Sequence, residues 1–344
     1  MSYKIKKAAV LGSGVMGSQI AAHLSNANIE VYAFDMSQEV AVSGLEACKK
    51  LKPSPFYNIK THSLITPLNY DEHLDKIKEC DWVIEAISER LDWKQDLYKK
   101  IIPHLSKDTI VSSNTSGLSL SDLSSGLPDE FLDKFFITHF FNPPRYMKLV
   151  EIISSDKTNS DKVSYIHEFL ENKLGKGVVI AKDTPNFIAN RIGVYGMMVT
   201  LHEADRCGLS IEDVDALTGT IIGRPKSATF RTADVVGLDT MCYVANTAYE
   251  KCPDDPEKDV FKLPDYINKM VSNKWLGQKS GQGFYKKVDK GIIHSLNLKT
   301  LEYEPINKKR HAAFTLAKEK TYLRDRLNAI VRSDDVAGEF LWKT

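Results

Sequence analysis

The sequence predicts an α/β fold, with a doubly wound sheet over residues 1–183 followed by a smaller all-helical domain over residues 184–344. Three observations predict it. Residues 7–35, KAAVLGSGVMGSQIAAHLSNANIEVYAFD, read as strand, glycine turn, helix and strand. Apolar runs then alternate with helical spacing as far as GVVIAKD at 177–183, the pattern of a sheet wound with helices. From Thr184 onward, segments such as NFIANRIGVYGMMVTLHEADRCG and IEDVDALTGTIIG keep helical spacing, and few runs look like strands.

The opening unit carries the first chemistry. Gly12-x-Gly14-x-x-Gly17 falls between the apolar run Ala8–Leu11 and the helical spacing of Ile20, Ala21 and Leu24. Gly12 permits a tight turn, Gly14 lets backbone approach a pyrophosphate, and Gly17 lets helix pack on strand. The helix N-terminus beyond, with Val15 and Met16, offers unpaired N–H groups to phosphate. Asp35 ends the second strand, 18 residues past Gly17, where a carboxylate can accept both hydroxyls of an adenosine ribose. That carboxylate would repel a 2′-phosphate, and residues 36–40 hold no Arg or Lys to receive one, so NAD is expected rather than NADP. FAD uses the same fingerprint. The unit is thus expected to be a Rossmann-type, dinucleotide-binding domain.

The remaining elements follow in order. A helix is expected near 37–51, then an irregular excursion interrupted by Pro53 and Pro55, then a short strand ending in ITPL at 65–68. A short helix around Asp71–Lys78, the strand DWVIEAI at 81–87, a helix after Asp92 and the strand TIVSSNTS at 109–116 continue the sheet. FFITHFF at 135–141 and KLVEIIS at 148–154 are strands, with a helix from about Ser160. Thr184 is a candidate cap and Pro185 a candidate first residue for the helix that opens the second domain. At the far end, Ser333, Asp334 and Asp335 look like the start of a helix ending within about two turns, with Phe340, Leu341 and Trp342 needing a surface. A terminal helix packed on its own domain and the edge of a longer chain are both open readings of that segment.

Composition narrows the function classes. Lys and Arg total 46 against 45 Asp and Glu, a net charge of +1, which provides no general field for nucleic acid or an anionic membrane. No run of 18 apolar residues suggests membrane insertion, and MSYKIKK is unlike a signal peptide. Five scattered cysteines without a C-x-x-C pair suggest reduced thiols in a cytoplasm, and no metal site.

Ligands of open α/β sheets sit beyond the carboxyl ends of strands, which draws attention to Glu89 after VIEAIS, Ser116 in SSNTSGL, and His139 and Asn142 in ITHFFN. His139 and Glu151 lie equally far from residue 145, so an antiparallel turn there would make them cross-strand neighbours. A lone histidine on an apolar strand is more commonly a packed core residue. A carboxylate holding its N–H would make it a general base able to work beside a nicotinamide.

The motifs GSGVMG, EAISERLDWK, SSNTSGLSL, THFFNPPRYMKLVEII, KDTPNFIANRIG and GQKSGQGFYK, in this order over about residues 5–290, resemble the 3-hydroxyacyl-CoA dehydrogenase family of fatty-acid β-oxidation. ITPLNYDEHL and RPKSATFRTADVVGLDT are similar to the dehydrogenase part of its bacterial multifunctional members. The resemblance implies NAD-dependent oxidation of a (3S)-hydroxyacyl-CoA, with His139 as base, Glu151 as its partner, and Ser116 and Asn190 holding the substrate oxygen. It implies cofactor contacts at Glu89, Lys94, Asn142 and Lys279. It also implies an acyl-CoA substrate, a second domain of the substrate or dimerisation type, and as partner a homodimer mate or an attached or associated enoyl-CoA hydratase region. Asn186 departs from the glycine that many members carry in DTPGF, and the short excursion near Pro53 leaves the coenzyme A phosphate ligands unassigned. A biosynthetic 3-hydroxybutyryl-CoA dehydrogenase and a non-catalytic NAD-binding fragment share these residues and remain alternatives.

Overall fold

A computed structural model describes residues 4–307, 309 and 311–344, so the opening Met1, Ser2 and Tyr3 lie outside the described residues. The chain divides into two units, Met1–Ile188 and Ala189–Thr344. The expected boundary after residue 183 falls five residues earlier than this division.

The first unit runs β1 (Lys7–Leu11), α1 (Val15–Asn26), β2 (Glu30–Asp35), α2 (Gln38–Lys49), β3 (Ile65–Asn69), α3 (Tyr70–His73), β4 (Trp82–Glu85) and α4 (Leu91–Ile101). It continues with β5 (Ile110–Ser113), α5 (Leu120–Ser124), α6 (Asp129–Leu132), β6 (Phe135–Phe140), β7 (Leu149–Ile153), α7 (Ser160–Asn172) and β8 (Gly177–Ile180). Its eight strands lie in the order β3-β2-β1-β4-β5-β6-β7-β8. All neighbours are parallel except β6 and β7, which form an antiparallel pair. The order reverses between β1 and β4, so the loops after those strands diverge and leave a crevice at the carboxyl edge. Central strands read as continuous apolar runs because both faces are covered: β1, β4, β5 and β6 are buried almost throughout. The polar residues inside them are bonded: Ser112 on β5 links the Trp82 indole at 3.0 Å to the Thr138 hydroxyl at 2.8 Å.

One expectation of detail changes here. The helix expected over Asp71–Lys78 is one α-helical turn, α3, followed by a tighter 3₁₀ segment, Leu74–Glu79. The excursion after Pro53 is tied to the β6–β7 hairpin, where the Arg145 guanidinium donates to the Ser54 and Phe56 carbonyls and stacks on Tyr57.

The second unit is mainly helical: α8 (Ala189–Cys207), α9 (Ile211–Leu217), α10 (Phe230–Val236), α11 (Leu238–Lys251) and α12 (Asp265–Ser272). Then come β9 (Tyr285–Asp289), β10 (Ile292–Leu296), β11 (Tyr303–Pro305), α13 (Ala312–Lys318), α14 (Leu323–Val331) and α15 (Val336–Lys343). The helix expected from Pro185 begins at Ala189 instead. Asn186 and Phe187 take φ of 63° and 51°, a left-handed pair that no helix start accommodates, and asparagine is among the residues that tolerate that conformation. The unit is also not purely helical, because β9, β10 and β11 form an antiparallel sheet. These strands are three to five residues long and lack a strong apolar alternation, which hides them in the sequence. Asp215 holds the α10 N-terminus by accepting from the Thr229, Phe230 and Arg231 amides at 3.0, 2.6 and 3.1 Å. Asp234 accepts from the Phe284 and Tyr285 amides at 2.8 and 2.9 Å, which brings GFY onto α10 and stacks Phe284 against Phe230 at 4.5 Å. At the end, Asp335 caps α15 through the Gly338 amide, and Phe340 is fully buried in the core of this unit while Trp342 stays exposed.

Candidate active site

The glycine loop is built by sterics. Gly12 has φ of 98°, and a Cβ there would meet the Ala86 carbonyl at 2.8 Å. A Cβ on Gly17 would stand 1.8 Å from the Gly12 carbonyl, so α1 can pack on this turn only as glycine. Gly14 differs, since a Cβ there would meet nothing within 4 Å, leaving open space in front of the backbone. Helix α1 then starts with no side-chain cap and no acidic residue in its first turn. Its first N–H groups and dipole therefore suit an anion. Val15 is exposed at this end, whereas Met16 turns its side chain to the core, so what it offers a phosphate is its backbone N–H. Asp35 is fixed at the end of β2: one carboxylate oxygen accepts the Ser13 amide at 2.7 Å and the other the Met36 amide at 2.8 Å. Gly12, Gly14, Asp35, Met36 and Trp93 line one recess of about 520 Å³.

At the same carboxyl edge, β6 and β7 set His139 directly opposite Glu151. The imidazole Nδ1 lies 2.7 Å from Glu151 Oε2, and Glu151 Oε1 accepts the Ile188 amide at 3.0 Å. His139 is 4% exposed and Glu151 fully buried. Phe141 and Phe187 flank the ring at 4.3 and 5.8 Å. With Nδ1 donating to the carboxylate, the proton-accepting nitrogen is Nε2. The arrangement can therefore take a proton from a hydroxyl at Nε2 and stabilise the resulting imidazolium through Glu151.

A second carboxylate organises the loop after β5. Glu89 Oε1 accepts from the Thr115 hydroxyl at 2.6 Å and from the Ser116 and Gly117 amides at 2.8 and 3.0 Å. Burial favours the neutral form of this carboxyl, but the Lys94 charge, the Thr115 hydroxyl and the two amides outweigh it and hold Glu89 below the usual carboxylate range. Lys94 is 1% exposed, not a solvated helix residue. Its ammonium donates to Glu85 at 2.6 Å and to the Ile87 carbonyl at 3.3 Å, with Glu89 at 3.4 Å. Three acceptors surround a group with three protons, so the expected contact of Lys94 with a cofactor is matched by an internal role of orienting Glu89. Glu85 in turn accepts from the Tyr98 and Ser113 hydroxyls at 2.7 and 2.6 Å. Asn142, just past β6, receives a hydrogen bond from Gln19 on α1 at 3.0 Å.

The first unit thus carries Gly12, Gly14, Val15, Met16, Gly17, Asp35, Glu89, Lys94, Ser116, His139, Asn142 and Glu151 on the strands, helices and connecting loops of one sheet. Asn190 and Lys279 belong to the second unit. Asn190 stands in the first turn of α8, and Lys279 bonds both carboxylate oxygens of Asp239 beside Gly237.

Comparison with known proteins decides the family. The sequence profile of the 3-hydroxyacyl-CoA dehydrogenase NAD binding domain matches residues 7–184, and that of the C-terminal domain matches residues 187–287. This chain belongs to the 3-hydroxyacyl-CoA dehydrogenase family. A "probable 3-hydroxyacyl-CoA dehydrogenase" of Bacillus subtilis is 46% identical over 99% of this chain, which spans 46% of that protein's length. One of the same description from Deinococcus radiodurans is 45% identical over 83% of both chains. Among solved structures, (S)-3-hydroxybutyryl-CoA dehydrogenase PaaH1 from Ralstonia eutropha is 27% identical, with a TM-score of 0.70 over 81% of this chain and 98% of its own.

The first unit matches an NAD binding domain, and its geometry fits the cofactor: the open face of Gly14 and the uncapped α1 suit a pyrophosphate, and the carboxylate of Asp35 suits a ribose diol. The motifs do not single out Ser13, Gln19, Gly44 or Glu85. Gly44 on α2 is required by contact, since a Cβ there would stand 2.2 Å from the Ser13 carbonyl. Glu85 carried a visible signal, a carboxylate inside the apolar run WVIEAI. Among the described residues no cluster could hold a metal ion, no helix is long and apolar enough to cross a membrane, and the five cysteines are unbridged.

Proposed function

We propose that the chain oxidises a (3S)-hydroxyacyl-CoA to the 3-ketoacyl-CoA with NAD, as a step of fatty-acid oxidation in the cytoplasm. The observation that carries this reading is the buried His139–Glu151 pair at the strand edge that also holds the glycine loop. His139 Nε2 takes the proton of the 3-hydroxyl while Glu151 holds Nδ1 and balances the positive charge that develops on the ring. Bound NAD supplies the acceptor for the hydride that leaves the same carbon. The Phe141 and Phe187 rings keep water from the imidazole. Ser116 and Asn190 are assigned to the substrate oxygen by the motifs that carry them, SSNTSGL and DTPNFIANR, and Glu89 sets the Ser116 loop through its amide. Glu89, Lys94, Asn142 and Lys279 are assigned to the cofactor side on the same basis. The partner is a second copy of the chain or an enoyl-CoA hydratase region, in line with a B. subtilis relative about twice as long.

The test is product analysis. NAD with the (3S) isomers of a series of 3-hydroxyacyl-CoAs should yield NADH and 3-ketoacyl-CoA in equal amounts, and the (3R) isomers should yield neither. Likeness to PaaH1 supports a second reading, a 3-hydroxybutyryl-CoA dehydrogenase working in the reducing direction. Turnover confined to the four-carbon substrate and faster with NADH would favour it. NAD binding without turnover of any substrate would favour a non-catalytic NAD-binding fragment.

A further inference from the structure

We propose that Gln19 is a positioning residue that locks the Asn142 amide with its nitrogen turned outward, as a donor for an acceptor oxygen at the nicotinamide end of the cofactor. The inference rests on the NAD-dependent reading above. Its basis is a hydrogen-bond argument that fixes two amides at once. A side-chain amide carries one donor end and one acceptor end of nearly equal size, and only its partners decide which faces where. Gln19 is 4% exposed, and one terminal atom lies 2.8 Å from the Val15 carbonyl, which can only accept. That atom must be the nitrogen Nε2. The same nitrogen lies 3.0 Å from the Asn142 side chain, so the facing atom there must be the oxygen Oδ1. Asn142 Nδ2 consequently points away from Gln19 with its two N–H groups.

The placement gives this orientation a use. Val15 and Gln19 occupy the first turns of α1, the helix whose uncapped end suits the pyrophosphate. Asn142 follows β6, three residues beyond His139. One buried side chain therefore connects the helix that receives the dinucleotide to the segment that carries the base, and its geometry selects donor over acceptor at that end. An amide held this way donates to an oxygen acceptor, which the carbonyl of a nicotinamide carboxamide supplies.

Gln19→Glu and Gln19→Met, titrated with NAD and with ADP-ribose, test it. Glutamate presents only acceptors, so Asn142 must turn its nitrogen inward and its oxygen outward. The NAD dissociation constant is expected to rise about tenfold more than that of ADP-ribose in Gln19→Glu, with a smaller excess in Gln19→Met. ADP-ribose lacks the nicotinamide, so its binding reports both folding of the first unit and any repulsion between the new carboxylate and the pyrophosphate. Equal changes for the two ligands in both variants, or no change for either, would overturn the role of Gln19. Failure of the unmodified chain to bind NAD would instead overturn the reading on which the inference rests.

Discussion

Removing one partner of a buried pair leaves the other without its counterpart, and two such pairs make the site testable residue by residue. In Glu151→Gln, an amide cannot accept from both His139 Nδ1 and the Ile188 amide, so the imidazole loses its fixed orientation. Turnover is expected to fall about a hundredfold or more while NAD affinity stays near that of the unmodified chain, read by steady-state kinetics beside a binding titration. Lys94 gives a different outcome. Lys94→Met strands the fully buried Glu85 carboxylate, and urea unfolding should show a loss of about 3 to 5 kcal/mol. Adding Glu85→Gln should return part of it. An unchanged unfolding midpoint in Lys94→Met would contradict the internal role of this ammonium.

At the scale of elements, the turn between β1 and α1 separates two functions of glycine. Gly17→Ala forces a Cβ against the Gly12 carbonyl and is expected to destabilise the first unit by about 1 to 3 kcal/mol or more, whereas Gly14→Ala meets no protein atom. Gly14→Ala should therefore keep the melting temperature and lose NAD affinity, a contrast that calorimetry and titration together can check. Equal melting losses in both variants would contradict the assignment of Gly14 to the ligand. The same elements show what a sequence can and cannot disclose. The βαβ opening was legible because glycine spacing, strand and helix periodicity and Asp35 all agree. The His139–Glu151 pairing was legible because side chains equally far from the middle of an antiparallel connection follow from counting, and β6 and β7 pair in that register. Lys94 was not legible, since an ammonium on an amphipathic helix looks solvated until Glu85 is known to end the neighbouring strand. The start of α8 was misplaced because Thr184 and Pro185 fit a helix cap, while the left-handed Asn186 and Phe187 reflect the buried setting of those two side chains. The β9–β11 sheet was hidden by the shortness of its strands and their weak apolar alternation.

For the molecule as a whole, pH enters stability through a buried carboxyl of the second unit. In the second unit, burial pushes the Asp234 carboxyl up to about 6 from 3.8, against the pull of the Phe284 and Tyr285 amides. A folded value above the unfolded one means that the folded state binds more protons between these limits. Stability from this group is then fully present below about pH 4 and is lost as pH rises through about 6, by on the order of 2 to 3 kcal/mol. Urea unfolding followed over a series of pH values should show that slope, and Asp234→Asn should flatten it. Catalysis rests on the first unit, where His139 faces Glu151. NADH formation from NAD and a (3S)-hydroxyacyl-CoA by the unmodified chain and by His139→Gln, with NAD binding measured on both, decides the role of that base. Turnover is expected in the unmodified chain and is expected to fall by about a hundredfold or more in the variant, with NAD still bound. Turnover undiminished in His139→Gln would contradict that role.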